Sequence, residues 1–400
     1  MSGMRLLNVH SLQVEDFTKR PAPQYVILSH RWVDNEPKFQ DFEEMHSLQA
    51  TTTNTQRLAA LRNCNNGNFG ANDGFAKVAW ACKMVRERQH GVQYLWADTC
   101  CINKNNLEDP KETSRAINSM FDWYHNAVEC YAYLGDTSGK NAMRNSVWFK
   151  RGWTLQELLA PSRLQFFDQR WTDLGTRSDN IDAIWEATSI DQKYLNGDEQ
   201  FRSACIATKM SWAANRTTAL ADDRAYCMLG LFGVHIEAPY GEGMKAFLRL
   251  QEELVNRTND ESIFAWYDAS IVQNGLLAPS PKCFEGCGQL TVNSAKFRPR
   301  KSYSAIKEGI EFWLPSFLPD HANGADWNDL IANKRKSFDL RLNCWRPDGR
   351  TVVIKLRKEK GKWRRTQCDQ EFTINKAPRS SESIFGIGTK ARPAQISHNV

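Results

Sequence analysis

Residues 24–30 read "QYVILSH" and residues 92–98 read "VQYLWAD". Each is a short apolar run ending in polar residues. Such runs are too short for helices and have the pattern of strands covered on both faces. Two further runs share it, "ECYAYLG" at 129–135 and "RLQFFD" at 163–168. Segments with helical spacing lie between them. Val78, Ala79, Cys82 and Val85 form one apolar stripe, which Asp73 can cap and Gly91 can stop. Ile117, Met120, Phe121, Tyr124 and Val128 form another, and "WFKRGWTLQELLAP" at 148–161 reads as a third helix. Strands alternating with helices predict an α/β fold, a mainly parallel sheet with helices on both faces. Right-handed crossovers place the carboxyl ends of the strands on one edge, and ligands bind there, near the reversal of strand order.

The residues leaving those ends are therefore informative. After the first strand come Ser29, His30, Arg31 and Trp32; after the second come Asp98, Thr99, Cys100 and Cys101. The third strand runs into the loop that begins the 148–161 helix. That helix holds one acid, Glu157, among Trp148, Phe149, Trp153, Leu155, Leu158 and Leu159. A helical glutamate is ordinarily solvent-facing. The other reading is a carboxylate facing a ligand, with Ser29, Arg31 and Asp98 on the same polar edge. Trp153 precedes Glu157 by four residues and so shares its helix face. Asp98 also has two readings, a ligand contact or an acceptor for backbone N–H groups in its own loop.

A chain of 400 residues predicts more than one domain. Residues 1–178 carry the α/β pattern. Residues 179–270 read as helical, with helices at 200–214, 222–233 and 241–257, the second capped by Asp222 or Asp223. Residues 271–380 read as β-rich: "IEFWLP" and "DLRLNCW" as strands, "TVVIKLRKEKGKWRRT" as a hairpin turning at "KGK". Residues 381–400, rich in Ser, Lys, Gly and Pro, are expected to fray.

The net charge of +6 is spread along the chain and implies no nucleic acid. Seven Lys and Arg against one Glu at 355–365 read as a solvated hairpin face. No apolar run approaches the ~18 residues of a membrane helix, and the N-terminus lacks the features of a leader. The expectation is a soluble cytoplasmic protein. Eleven cysteines, an odd number, point to reduced thiols, with Cys82, Cys130, Cys205 and Cys227 in the core. Of the adjacent Cys100 and Cys101, at most one is expected to be buried. Cys101 with His30 or His125 is a minor alternative nucleophile. Cys283-x3-Cys287 lacks a second ligand pair, so no metal is expected. "YGEG" at 240–243 reads as a tight turn, lacking the Lys and Ser/Thr of a phosphate loop.

"YVILSHRW", "YLWADTCCIN", "AINSMFDWYHNA", "CYAYLGD" and "WFKRGWTLQELLAP" resemble, in order and wording, the HET domain of fungal heterokaryon-incompatibility proteins. "MSWAANRTTALADDRAYCMLGLF", "YGEGMKAFLRLQEELV", "ESIFAW" and "GLLAPSP" resemble the helical region that often follows it. Asn103 stands where the family pattern usually has Asp, and Arg31 and Val33 stand where it has Thr and Gly. The resemblance implies a cell-death effector of non-self recognition that self-associates or meets an incompatibility partner protein. HET domains in turn look like remote relatives of TIR domains, which share a flavodoxin-like sheet. The TIR box after the first strand is matched by Ile27-Leu28-Ser29, and a second TIR box by Trp153 to Leu158, with Thr154 in place of Cys. The glutamate of that second box cleaves the nicotinamide–ribose bond of NAD in TIR enzymes. Carried across, it is Glu157. This implies NAD as substrate and no resident cofactor, with Ser29, His30, Arg31, Trp32, Asp98 and Trp153 as candidates to hold it. The competing class is an interaction module that kills by assembly, without turnover.

Overall fold

Seven strands among the described residues form the N-terminal sheet: β1 (Arg5–Asn8), β2 (Val14–Asp16), β3 (Val26–His30), β4 (Tyr94–Trp96), β5 (Glu129–Leu134), β6 (Leu164–Asp168) and β7 (Asp173–Thr176). Their order is β2-β1-β4-β3-β5-β6-β7. The computed structural model describes residues 3–33, 36–46, 74–88, 91–104, 109, 111–271, 273–292, 304–306, 309–314, 336–359, 362–368, 372–374 and 392–396. The expected Asp73 cap lies outside them.

The four strands read from the sequence are the parallel centre. Ile27 pairs with Trp96 and Cys130, and Ala132 with Phe166. Every residue of β3, β5 and β6 is buried, as befits strands covered on both faces. Helices α1 (Phe39–His46), α2 (Gly74–Glu87) and α3 (Glu112–Asn126) lie between them in sequence. The stripes of α2 and α3 bury Val78, Cys82 and Val85, and Ile117, Met120, Phe121 and Tyr124. In the centre the spatial order is second, first, third, fourth. The winding therefore reverses between β3 and β5, and ligands of such sheets bind at the carboxyl ends of the strands beside that reversal. Three outer strands were not expected. β1 and β2 form a hairpin whose β1 pairs antiparallel with β4, and β7 pairs antiparallel with β6.

The 148–161 segment differs from the single helix expected. Ser146 accepts the N–H of Trp148 at 3.3 Å and caps a 3-10 turn, Val147–Lys150. Arg151 is extended, and helix α4 spans only Thr154–Leu159. The peptide groups at this joint bond elsewhere. Thr217 N donates to the Lys150 carbonyl at 2.6 Å, and Gly152 N donates to the Thr217 carbonyl at 2.8 Å.

The compact N-terminal unit comprises Met1–Phe201 together with Arg216–Ala219 and Tyr226–Tyr240. The second unit comprises Arg202–Asn215, Leu220–Ala225 and Gly241–Val400. Its helices include Ile206–Ala213 and Lys245–Arg257, both shorter than expected; the expected 222–233 helix is two short pieces, Asp223–Tyr226 and Leu229–Phe232, the latter in the first unit. Asp222 accepts the N–H of Gly243 instead of capping, and Gly241 and Gly243 take φ of 104° and 60°, which makes "YGEG" a turn. Strands β8 (Gln273–Asn274), β9 (Ser304–Ile306), β10 (Gly309–Leu314), β11 (Ser337–Trp345), β12 (Thr351–Glu359), β13 (Lys362–Thr366), β14 (Phe372–Ile374) and β15 (Arg392–Ile396) form the second sheet. The expected hairpin is β12–β13, with Glu359 opposite Lys362. One of its cations is not solvated. Arg365 is buried, donates to the carbonyls of Phe264 (2.9 Å) and Trp266, and lies 4.0 Å from the Trp266 ring. The expected fraying falls mostly outside the described residues, but Arg392–Ile396 pair with β10. No helix among the described residues is long and apolar enough to cross a membrane.

Candidate active site

Helix α4 buries all six of its residues, Glu157 included. A carboxylate removed from water needs partners or a proton. Glu157 is 7% exposed, and the Ser29 hydroxyl, at the tip of β3, donates to its Oε2. The Trp148 indole N–H donates to the same hydroxyl oxygen at 2.8 Å. The Tyr124 hydroxyl, from α3, donates to the Leu28 carbonyl at 3.3 Å and is close enough to the carboxyl to act on its charge. Burial pushes the Glu157 carboxyl up to about 7; the Ser29 hydrogen bond opposes this, Asp98 adds to it, and Arg151 and Tyr124 oppose it. A carboxyl so placed exchanges its proton near neutral pH.

A second cluster adjoins it. His30 is buried, and its Nε2 lies 3.0 Å from Glu36 and 3.9 Å from Asp98. Lys77, a buried cation on α2, bonds Glu36 at 2.7 Å and the Arg31 carbonyl at 3.0 Å. Glu36 also accepts the N–H of Val33 at 3.0 Å. Burial raises the Glu36 carboxyl, but the His30 hydrogen bond and the charges around it pull it down to about 2. Burial, then the Lys77 charge, lowers the pKa of His30. Burial also lowers the pKa of Lys77, against the pull of Glu36, so the three groups form one buried hydrogen-bonded cluster.

The structure thus brings Ser29, His30, Asp98 and Glu157 to one edge. Trp32 is there too but 39% exposed. Its N–H donates to both Asp98 oxygens at 3.2 and 2.9 Å, and the Lys104 ammonium lies 3.4 Å from its ring centroid. Asp98 therefore fixes a neighbouring side chain. Arg31 is exposed at the tip of β3. Trp153 is half-buried at the start of α4. Trp148 packs on Phe149 and Phe166 and serves as a core residue with one polar contact. Asn103 accepts from the Gln40 amide at 2.7 Å.

Cys100 and Cys101 are both buried, with sulfurs 3.9 Å apart. The expectation of one buried thiol assumed extended chain, whereas Cys101 N bonds the Ala97 carbonyl in a helical turn. The Cys101 sulfur accepts from Ala97 N and donates to the Leu95 carbonyl, while His125 bonds the Ala160 carbonyl. No contact joins this thiol to His30 or His125 among the described residues. The ten described cysteines are buried and none is in a disulfide. No group of three or more metal-ligating side chains occurs among the described residues.

Sequence reasoning missed Tyr124, Glu36 and Lys77. Lys77 left a signal, a single cation within the buried run "GFAKVAWA". Tyr124 sits on an apolar stripe, where spacing reports burial and not the reach of a hydroxyl.

The family model described as "Heterokaryon incompatibility protein (HET)" matches residues 25–145, and "Domain of unknown function (DUF8212)" matches residues 245–280. A similar relative is the vegetative incompatibility protein HET-E-1 of Podospora anserina, 33% identical over 254 residues, or 60% of this chain. The match spans 17% of that relative's length. No solved structure matches the chain.

Proposed function

We propose that this chain, which carries a HET domain at residues 25–145, is a cell-death effector of heterokaryon incompatibility that cleaves the nicotinamide–ribose bond of NAD. The incompatibility role rests on the HET match and on the similarity to HET-E-1. The chemistry rests on one observation: the buried Glu157 carboxyl receives the Ser29 hydroxyl at the tip of the first parallel strand.

In the proposed reaction the C1′–N bond breaks and its electron pair leaves with nicotinamide, which departs neutral. The ribose becomes oxocarbenium-like, and the Glu157 carboxylate stabilises that charge. Water then attacks C1′, and a carboxylate of pKa about 7 can take the proton it releases. Ser29 orients the carboxylate. Arg31, exposed at the tip of β3, is offered to the diphosphate, and Trp32 and Trp153 to a planar ring.

The test is release of free nicotinamide from NAD by the purified chain, with and without a crowding agent, against E157Q of unchanged circular dichroism. Release by the parent and none by E157Q is expected. Equal release by both removes Glu157 from the reaction.

The low exposure of Glu157 favours a second reading, in which its carboxyl is a structural tie and the domain kills by assembling with itself or with a partner protein. Killing by E157Q without loss of NAD supports that reading.

A further inference from the structure

The joint before α4 is held by a segment far along the chain. Arg151 and Thr217 form a parallel bridge, and Thr217 bonds both Lys150 and Gly152 through its backbone. Arg216, beside it, lies outside the matched HET stretch. Its Nη1 donates to the Arg151 carbonyl at 2.9 Å and to Thr154 Oγ1 at 3.1 Å. Thr154 Oγ1 in turn reaches the Trp148 carbonyl at 2.5 Å, and the Trp148 indole holds Ser29, which holds Glu157. Two hydrogen-bonded links thus meet in Trp148: Arg216 and Thr154 reach its carbonyl, and its indole reaches Ser29 and Glu157.

The charge at 216 calls for its own explanation. A neutral amide could supply the same donors. A cation at a helix N-terminus gains nothing from the helix dipole, which is positive there. Taking a guanidinium out of water is also costly, and Arg216 Nη2 is fully buried. Its charge interacts with the Cys227 thiol and then with the Glu157 carboxyl.

We infer that Arg216 is a positioning residue for the Glu157 site, pinning the joint before α4 while its charge acts on the carboxyl. The inference rests on the reading of Glu157 given above. The other groups facing Glu157 are Tyr124 on α3, Asp98 at the tip of β4, Cys130 on β5 and Arg151 at the joint.

The test uses the full chain with ¹³C-labelled glutamate carboxyls, the Glu157 resonance being assigned with E157Q. R216Q keeps a donor and removes the charge; R216K keeps the charge. R216Q is expected to raise the Glu157 midpoint, and R216K to leave it close to the parent's. An unmoved midpoint in R216Q overturns the inference. T154V, nearly unchanged in shape, tests the pinning by itself. It is expected to speed amide exchange across Thr154–Leu159 by about tenfold while β5 and β6 keep their rates. No local acceleration overturns the pinning. Neither readout needs turnover. If no form releases nicotinamide and the midpoint still moves, the NAD reading fails and the role of Arg216 stands.

Discussion

Glu157 is where burial, charge and chemistry meet. Its folded pKa of about 7 lies above the ordinary 4.5. Between those values the folded chain holds a proton that the unfolded chain has released. The contribution of this group to stability is therefore fully present below about pH 4.5 and is lost as pH rises through about 7, a span of about 3 kcal/mol. Thermal unfolding of E157Q is expected to match the parent near pH 5 and to occur at higher temperature near pH 8.5; a gap that does not grow with pH contradicts the burial. Glu36 has the opposite sign. Its carboxyl is held at about 2, so its contribution is present above the ordinary value and lost as pH falls toward 2. E36Q leaves Lys77 buried without its counter-charge and is expected to cost about 3 kcal/mol at pH 7 by denaturant titration. Ser29 and Glu157 were legible in the sequence because each sits where the fold pattern places ligand-facing residues. Glu36 was not, since it lies in a polar stretch with no periodicity to assign it a side.

At the level of elements, the joint between the Val147–Lys150 turn and α4 decides where Glu157 points. Gly152 sits there because a side chain does not fit: an added Cβ would stand 2.5 Å from Thr218 Cγ2 and 3.1 Å from Cys227 Sγ. G152A is expected to cost about 1–3 kcal/mol and to lower nicotinamide release further than its stability loss alone explains. Full activity in a folded G152A contradicts that coupling. Gly230 packs as tightly, its added Cβ falling 2.1 Å from Phe121 Cβ on α3. β3, β5 and β6 were legible because five or six consecutive buried residues leave a strong apolar run, and β4, only three residues long, was legible from the apolar Leu95, Trp96 and Ala97. β1, β2 and β7 were not, being three or four residues long with acidic or polar members. The break in the 148–161 segment had a signal in Gly152. The backbone partners that stabilise it come from Thr217, 65 residues on, and no local pattern reports them.

At the level of the whole molecule, the sheet places a reversal of strand order under Ser29 and Glu157, and segments beyond residue 201 complete the unit that holds them. Asn118 exchanges hydrogen bonds with the Ile236 backbone, and Ser114 accepts the N–H of Ala238. A chain ending at 178 loses these contacts and Arg216. We propose that the effector unit extends to about residue 240, and that a 1–178 fragment lacks the cooperative unfolding transition of the parent. A fragment that unfolds cooperatively at the parent's temperature contradicts this. The general organisation was legible: a parallel α/β unit, then helices, then β-rich chain. The return of two later segments to the first unit was not, because sequence pattern reports periodicity and not destination. The most direct measurement is the titration of the Glu157 carboxyl by ¹³C NMR in the intact parent chain. The expected midpoint lies near pH 7, as burial at the strand tips requires; a midpoint near 4.5, that of a glutamate in water, would contradict the site and the chemistry proposed for it.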